Sequence, residues 1–420
     1  MSHAVALRSS LILALAACAP PARTSVASGS IAPIAPPPAT LVLVTPGAVG
    51  MNANLPMRLD SIMTAAISDR ATPGASITIG RNGRLVVDRG WGRIDWRDDA
   101  SAVSDSTLYD MASLTKVIAT TTAAMLLEED GKLDIERTVV SYLPEFNAPD
   151  KTTMTVRSLL QHSSGMQPDL LLWRQYSTLP EYIRHIAGAP LKYPANTRSE
   201  YSDWNMILMQ AIIERVSGRR LDSLLADRVW APLGMRDTRF TPDSSLKWRI
   251  APTETQDFRG GQVWGVVHDE NSWKAGGVAG HAGLFSSARD LAIYAQTMLN
   301  GGEYNGVRVL RPETIARWTA RQQPFGSRAL GWDTPSPRSS AGRYFSSRSF
   351  GHTGFTGTSI WVDPEKQLFV VLLTNRVNPT RNNQKVGPLR RVVANAAQQA
   401  ILDAPVRVWE ADTTVAATPR

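Results

Sequence analysis

The sequence predicts an α+β protein: an antiparallel sheet built from strands near both ends of the chain, flanked by terminal helices, with a mostly helical second lobe. Three observations carry this. A helix and a β-hairpin stand near the start of the foldable part. Two apolar strands and a last helix stand near its end. Between them, roughly residues 130–320 read as helical segments broken by Gly and Pro, with no internal repeat.

Taken in order, Leu55, Leu59, Ile62, Met63, Ala66 and Ile67 recur at three- and four-residue steps. They form one apolar stripe of a helix that Pro73-Gly74 ends. The runs Ala75–Ile79 and Leu85–Val87 flank Arg81-Asn82-Gly83-Arg84, and Asn-Gly between β-rich runs is a strong hairpin signal. Leu114 to Glu129 is rich in Ala, Thr and Leu and reads as a buried helix stopped by Gly131. Ser359–Val362 and Leu368–Leu373 read as strands around Asp363-Pro364-Glu365, followed by a helix from about Pro388 to Leu402 and a loose tail from Ala404.

Before the fold, residues 1–17 read as a secretory signal, with Arg8 as the one ionised side chain and a short apolar core from Leu11 to Ala17. That run is too short to span a bilayer as a helix. Residues 18–52 read as a tether, its stretch 19–47 dominated by Ala, Pro, Ser, Thr and Val, with seven prolines. The folded hydrolase-like part is placed at 53–403 and the tail at 404–420.

Composition excludes several classes. The 420 residues carry 43% hydrophobic and 20% charged side chains, which argues against global disorder. A single Cys excludes a disulfide framework and a Cys-based zinc site. Lys plus Arg exceeds Asp plus Glu by 45 − 37 = +8, but no basic run of the nucleic-acid-binding type occurs, so no nucleic-acid partner is expected.

The chemistry starts from Ser113-Leu114-Thr115-Lys116, which opens the buried helix. A helix brings residues three apart onto one face. A serine hydroxyl needs an adjacent base, and a lysine amine serves only when neutral. Burial and a helix N-terminus both push it that way. The same N-terminus offers backbone N–H groups to an oxyanion. The pattern alone is weak: Ser244-Ser245-Leu246-Lys247 also matches it, yet follows Pro242 in a loop-like stretch. Gly-x-Ser-x-Gly is absent. Two further elements stand in order: Tyr201-Ser202-Asp203, and His352-Thr353-Gly354 directly before the strand pair.

With these three in register the chain resembles the serine β-lactamase and penicillin-binding-protein superfamily, in its class C β-lactamase-related branch, whose motifs are Ser-x-x-Lys, Tyr-x-Asn and Lys-Thr-Gly or His-x-Gly. Other stretches fit that branch, including Tyr109–Ala112, Leu159–Gly165 and Leu372–Asn375. His268–Asn271 and Gly276–Ser286 resemble penicillin-binding proteins of the 4B type. The likeness runs from about residue 55 to 402. Leu15-Ala16-Ala17-Cys18 likewise resembles the lipobox of bacterial lipoproteins, which implies a lipid on Cys18 and a membrane-anchored, periplasmic or cell-envelope protein; a plain signal peptide is the alternative.

The resemblance implies a β-lactamase/transpeptidase-like fold and acyl-enzyme chemistry without metal or organic cofactor. Ser113 would be the nucleophile, Lys116 its proton acceptor or relay, and Tyr201 the second proton-transfer group. Asp203, His352, Thr353 and Gly354 would bind substrate, His352 near a carboxylate, with the N–H groups of Ser113 and Phe355 as the oxyanion hole. Substrates in view are a D-amino-acid peptide of the cell wall, a carboxylester or a β-lactam. A rival reading is a non-catalytic module that binds wall peptides.

Two departures stand out. Asp203 replaces the motif's asparagine, and an ionised aspartate only accepts hydrogen bonds. Close to Lys116 it would also favour the ammonium and oppose the base role; either it points away, is protonated, or meets a substrate N–H or amine. His352 replaces a permanent cation with a group that titrates near neutrality, so binding of anionic substrates should weaken across about pH 6–8. Of the remaining residues, His162 reads as structural and His268-Asp269-Glu270 as a structured loop rather than a metal site. The glycine run 276–283 is either a flexible cleft wall or a tight connection. Trp204 is placed in the cleft, Trp173, Trp264 and Trp273 in the core, and Arg390-Arg391 on a solvated helix face.

Overall fold

The computed structural model describes Met1, 40–168, 171–322, 326–337 and 339–408. The secretory segment, Cys18, the first part of the tether and the tail from residue 409 lie outside these residues.

Six helices and five strands position the site. They are α1 (Leu55–Ser68), β1 (Gly74–Arg81), β2 (Arg84–Gly92), α2 (Thr122–Glu129), α3 (Leu179–Gly188), α4 (Asp203–Ser217), α5 (Ala288–Leu299), β3 (Phe350–Thr353), β4 (Ser359–Asp363), β5 (Leu368–Thr374) and α6 (Val386–Gln399). The strands form one antiparallel sheet in the order β3-β4-β5-β1-β2. Ala75 of β1 faces Thr374 of β5 and Arg81 faces Leu368, so the sheet is built from both ends of the chain. The hairpin turn holds Asn82 at φ 51° and Gly83 at φ 75°, the mirror-image turn that matches strand twist.

Period-two alternation decides what lies on each face of the sheet. Val370 and Leu372 of β5 pack with Leu59, Met63, Val393 and Ala397 of the terminal helices α1 and α6. Phe369, Val371 and Leu373 pack into the core of the helical lobe, with α5 against this face. In that lobe α4 buries every residue from Asp203 to Ile213, as expected of a helix enclosed on all sides.

Three readings are corrected. The tether ends earlier than residue 52: Leu41 is buried, Leu43 bridges to Leu85, and Met51 bridges to Ile401. Apolar side chains at 41, 49 and 51 dock this stretch on the sheet and its helices. The helix expected at Leu114–Glu129 starts as a 3-10 turn at Ala112–Leu114 and is π-helical from Lys116 to Thr121 before α2 begins. A threonine hydroxyl contributes there, since Thr122 Oγ1 donates back to the Val117 carbonyl at 3.0 Å, five residues earlier. The last helix spans Val386–Gln399, two residues earlier than its sequence pattern placed it.

Leu372 is 1% exposed at the middle of the sheet. Leu372→Ala should lower the unfolding free energy by about 2–5 kcal/mol, read from urea unfolding, whereas Met57→Ala, at a site 66% exposed, should stay within about 0.5 kcal/mol.

Candidate active site

Ser113 sits in the 3-10 turn, partly exposed, just after Ala112, which has φ 45°. A non-glycine residue in that region stores strain that its surroundings must hold. Asp110 does the holding: one carboxylate oxygen accepts the Ala112 N–H at 2.8 Å and the other the His268 N–H at 2.6 Å. From the sheet side, Thr356 Oγ1 donates to the Asp110 carbonyl and Thr358 Oγ1 to that of Met111, at 2.7 and 3.0 Å. Gly354 permits this closeness, because a Cβ there would lie 2.3 Å from the Met111 oxygen.

Lys116 is fully buried, and its Nζ touches three acceptors: Ser113 Oγ at 2.8 Å, the His281 carbonyl at 2.8 Å and Asp203 Oδ1 at 2.7 Å. The expectation of a neutral amine is corrected. Burial pushes Lys116 down, but the adjacent Asp203 carboxylate and Tyr201 together outweigh it, and the amine ends above the ordinary lysine value. Of the three dispositions open to Asp203, it neither points away nor awaits a substrate amine: it pairs with the nucleophile's own lysine.

Tyr201 donates to Ser113 Oγ at 2.9 Å. Behind it, His162 accepts at Nδ1 from the Ser202 N–H at 3.3 Å and from Asn205 Nδ2 at 2.9 Å, and its ring lies 4.6 Å from that of Tyr201. His162 therefore positions the tyrosine segment, in keeping with its structural reading. Trp204 does not reach the cleft: a helix turns about 100° per residue, so it is buried edge-on to His185. Trp173, placed in the core from sequence, instead stacks on Phe258 at 4.9 Å and lines the cavity.

The glycine run is a tight connection. A Cβ on Gly280 would lie 2.2 Å from the Met206 oxygen of α4. The Gly280 carbonyl accepts from Thr120 Oγ1 at 2.6 Å and its N–H donates to Gln210 at 2.9 Å. This lays the His281 carbonyl on Lys116. His281 Nε2 meets Asp269 Oδ1 at 2.8 Å. Burial would raise Asp269, but His281 and the Ser272 N–H hold it well below the usual carboxylate range. Donor atoms of Asp203, Asp269 and His281 come within 4.8 Å of one another. They approach the donor set of a cation, but the Lys116 ammonium already stands against Asp203. His268-Asp269-Glu270 is a structured loop: His268 bonds Glu254, and Glu270 pairs with Arg381.

Two cavities meet at Ser113, Tyr201 and Phe355. One, of about 690 Å³, is lined by Trp173, Asp203, Phe258, Asp269 and His281. The other, of about 440 Å³, is lined by Arg328, Asp333, His352, Thr353, Gly354 and Arg390. His352 is not a cation. Burial, with Arg328 and Lys116 nearby, holds it well below its ordinary value. Its Nδ1 lies 2.8 Å from the Thr353 carbonyl, so Nδ1 carries the hydrogen and the buried Nε2, without a partner, is a bare acceptor.

The positive charge of this cavity comes from arginines. Arg376 and Arg390 bind backbone carbonyls, the former that of Phe355 and the latter those of Gly354 and Thr358. Arg390 is thus no solvated side chain; burial and neighbouring Arg376 push it down to about 9. Arg328 lies 5.3 Å from the Tyr201 ring centre, and its buried Nη1 has no hydrogen-bond partner among the described residues. No motif marks Arg328; Asp269 and His281 lie in the stretches that resemble the 4B type, but sequence reasoning placed none of the three beside the serine.

The fold and this constellation define a serine hydrolase of the beta-lactamase family. The beta-lactamase family model matches residues 59–395, and the chain belongs to that family. A protein of Salmonella agona (strain SL483) named "Putative D-alanyl-D-alanine carboxypeptidase" is 30% identical over 411 residues, covering 89% of this chain and 93% of its own. A family VIII carboxylesterase has the same fold at TM-score 0.66, with 22% identity over 83% of this chain and 99% of its own. A penicillin-binding-protein homologue from Caulobacter crescentus matches at TM-score 0.65, with 21% identity and the same coverage.

His162 and His352 are both buried and both depressed. The unfolded chain binds a proton on each near pH 6.5 while the folded chain does not, so their contribution is present above that pH and lost as pH falls below it. Unfolding free energies from urea titrations should decline from about pH 7 to pH 5, and His352→Gln should flatten that slope.

Proposed function

We propose that the protein is an acyl-transferring serine hydrolase of the cell envelope whose substrates are peptides ending in a D-amino-acid carboxylate. The observation that carries this is the Ser113 hydroxyl bridged to Lys116 Nζ and Tyr201 Oη at 2.8 and 2.9 Å, where two cavities meet and one bears the Arg328 guanidinium, whose Nη1 has no hydrogen-bond partner among the described residues.

Ser113 Oγ attacks the carbonyl carbon of the scissile bond, its proton leaving toward Lys116, and the N–H groups of Ser113 and Phe355 receive the oxyanion. Tyr201, already hydrogen-bonded to Ser113, passes a proton to the departing amine. Water then hydrolyses the acyl-enzyme. Arg328 takes the part assigned from sequence to His352: it meets the terminal carboxylate through a charge-assisted bond. The name borne by the Salmonella relatives supports this substrate class.

A carboxylester is the second reading, favoured by the half-buried Trp173 and the exposed Phe258 and Phe355 on the larger cavity. A β-lactam fits less well, because Asp203 cannot donate to an acylamide carbonyl as an asparagine would. The intact contacts among Ser113, Lys116 and Tyr201 weigh against a binding module without catalysis. The envelope location, with a lipid on Cys18, is supported by the N-terminal sequence alone.

A fluorescent penicillin or a fluorophosphonate should label the protein covalently and leave Ser113→Ala unlabelled; absence of label with both probes would favour the binding module. Arg328→Gln should raise KM for a D-Ala-D-Ala peptide at least about tenfold more than for a neutral nitrophenyl ester, the size of a lost charge-assisted bond. Equal effects on both substrates would remove Arg328 from carboxylate recognition.

A further inference from the structure

Neither group bonded to the Ser113 hydroxyl, Lys116 or Tyr201, is a free base at rest. Lys116 Nζ donates to Ser113 Oγ and to the His281 carbonyl, each at 2.8 Å, and forms an ion pair with Asp203 Oδ1 at 2.7 Å. Ser113 Oγ accepts from Tyr201 as well as from Lys116. A protonated amine cannot take the serine proton unless it first gives one up. Of its three partners, Ser113 is the group to be deprotonated, and a peptide carbonyl is far too weak a base. Asp203 is the one that can keep a proton.

We propose that Asp203 is the proton store of the acylation step: Lys116 passes a proton to Asp203 as it receives the proton of Ser113. This rests on the acyl-transfer reading above. The balance closes. The Ser113 Oγ–carbon bond forms, the carbonyl π pair moves onto oxygen, the hydroxyl proton goes to Nζ, and one Nζ proton goes to Asp203 Oδ1. On collapse the scissile bond breaks and the leaving atom takes its proton from Tyr201. Lys116 reprotonates Tyr201, Asp203 returns its proton to Lys116, and the site is reset.

The surroundings fit the part. Asp203 lines the larger cavity but is only 8% exposed, so its proton is not shared freely with solvent. Asp269, brought alongside by the 268–281 loop, is a second negative group within 4.8 Å, itself engaged by His281. The other titratable groups facing the pair are Tyr201, with His162, His352 and Arg328 beyond it. Asp203 also is the first residue of α4, so a rigid element holds it beside Lys116.

The test is kcat/KM for p-nitrophenyl acetate against pH with the wild type and Asp203→Asn, and it separates two opposite outcomes. A store predicts that Asp203→Asn loses at least about tenfold in rate at pH 7 and that its acid limb moves more than one unit alkaline, because Lys116 must then titrate by itself. An ion pair that merely restrains Lys116 predicts the reverse, a gain at pH 7 and an acid limb moved downward, and that result overturns the proposal. Asp203→Glu should bring the limb back toward wild type; a profile overlaying that of Asn also counts against the store. Should the Asn variant fail to fold, a solvent proton inventory on wild-type acylation decides, with curvature for two protons in flight as expected and a linear plot as the refutation. Fluorophosphonate labelling that depends on Ser113 tests the underlying acyl chemistry independently of either result.

Discussion

The ammonium of Lys116 is the point on which the rest of the molecule converges. A lone buried cation is costly, and proteins tolerate it only with full hydrogen bonding and a counter-charge. Here the three oxygens come from three stretches far apart in the chain: the nucleophile's own turn, the first residue of α4, and the glycine run. Moving any one of them strands the charge. Residues such as Gly280, whose hydrogen lies against the α4 backbone, are therefore as necessary to the site as the side chains that touch the serine.

The sheet serves the same end from the other side. Because β1 pairs with β5, the two ends of the chain close on each other, and β3 and β4 extend from that seam. The loop after β3 is then bonded to the backbone of Asp110 and Met111, immediately before the serine. Arg390 of α6 holds the same loop by its carbonyls. Strain at Ala112 is sustained between this loop and the Asp110 carboxylate, and a rigid shelf of that kind suits a site that stabilises an oxyanion with fixed backbone dipoles.

Charge is distributed unequally across the serine. On the β3 side a neutral imidazole faces inward while Arg328, Arg376 and Arg390 supply the field. On the other side carboxylates stand among aromatic rings. The substitution of histidine for a motif lysine looks like the loss of a cation when the motif is viewed alone. In the folded chain that cation is present, carried by a residue 24 positions earlier. Asp203 similarly looks like a damaged asparagine until its partner is seen to be Lys116.

Much of the scaffold was legible from local pattern. The Asn82-Gly83 turn, the α1 stripe and the strands around Asp363 follow from periodicity and turn chemistry, which act between neighbours in sequence. Ser113, Lys116 and Tyr201 were legible as candidates because motif spacing fixes which elements carry them. The closeness of Asp203 to Lys116, on which the charge of the amine was seen to turn, the neutrality of His352, the cleft position of Trp173 and the convergence of Arg328, Asp269 and His281 were not. Each depends on burial and on charges brought within a few ångströms by elements far apart in the chain, and such through-space terms leave no local trace in the order of residues.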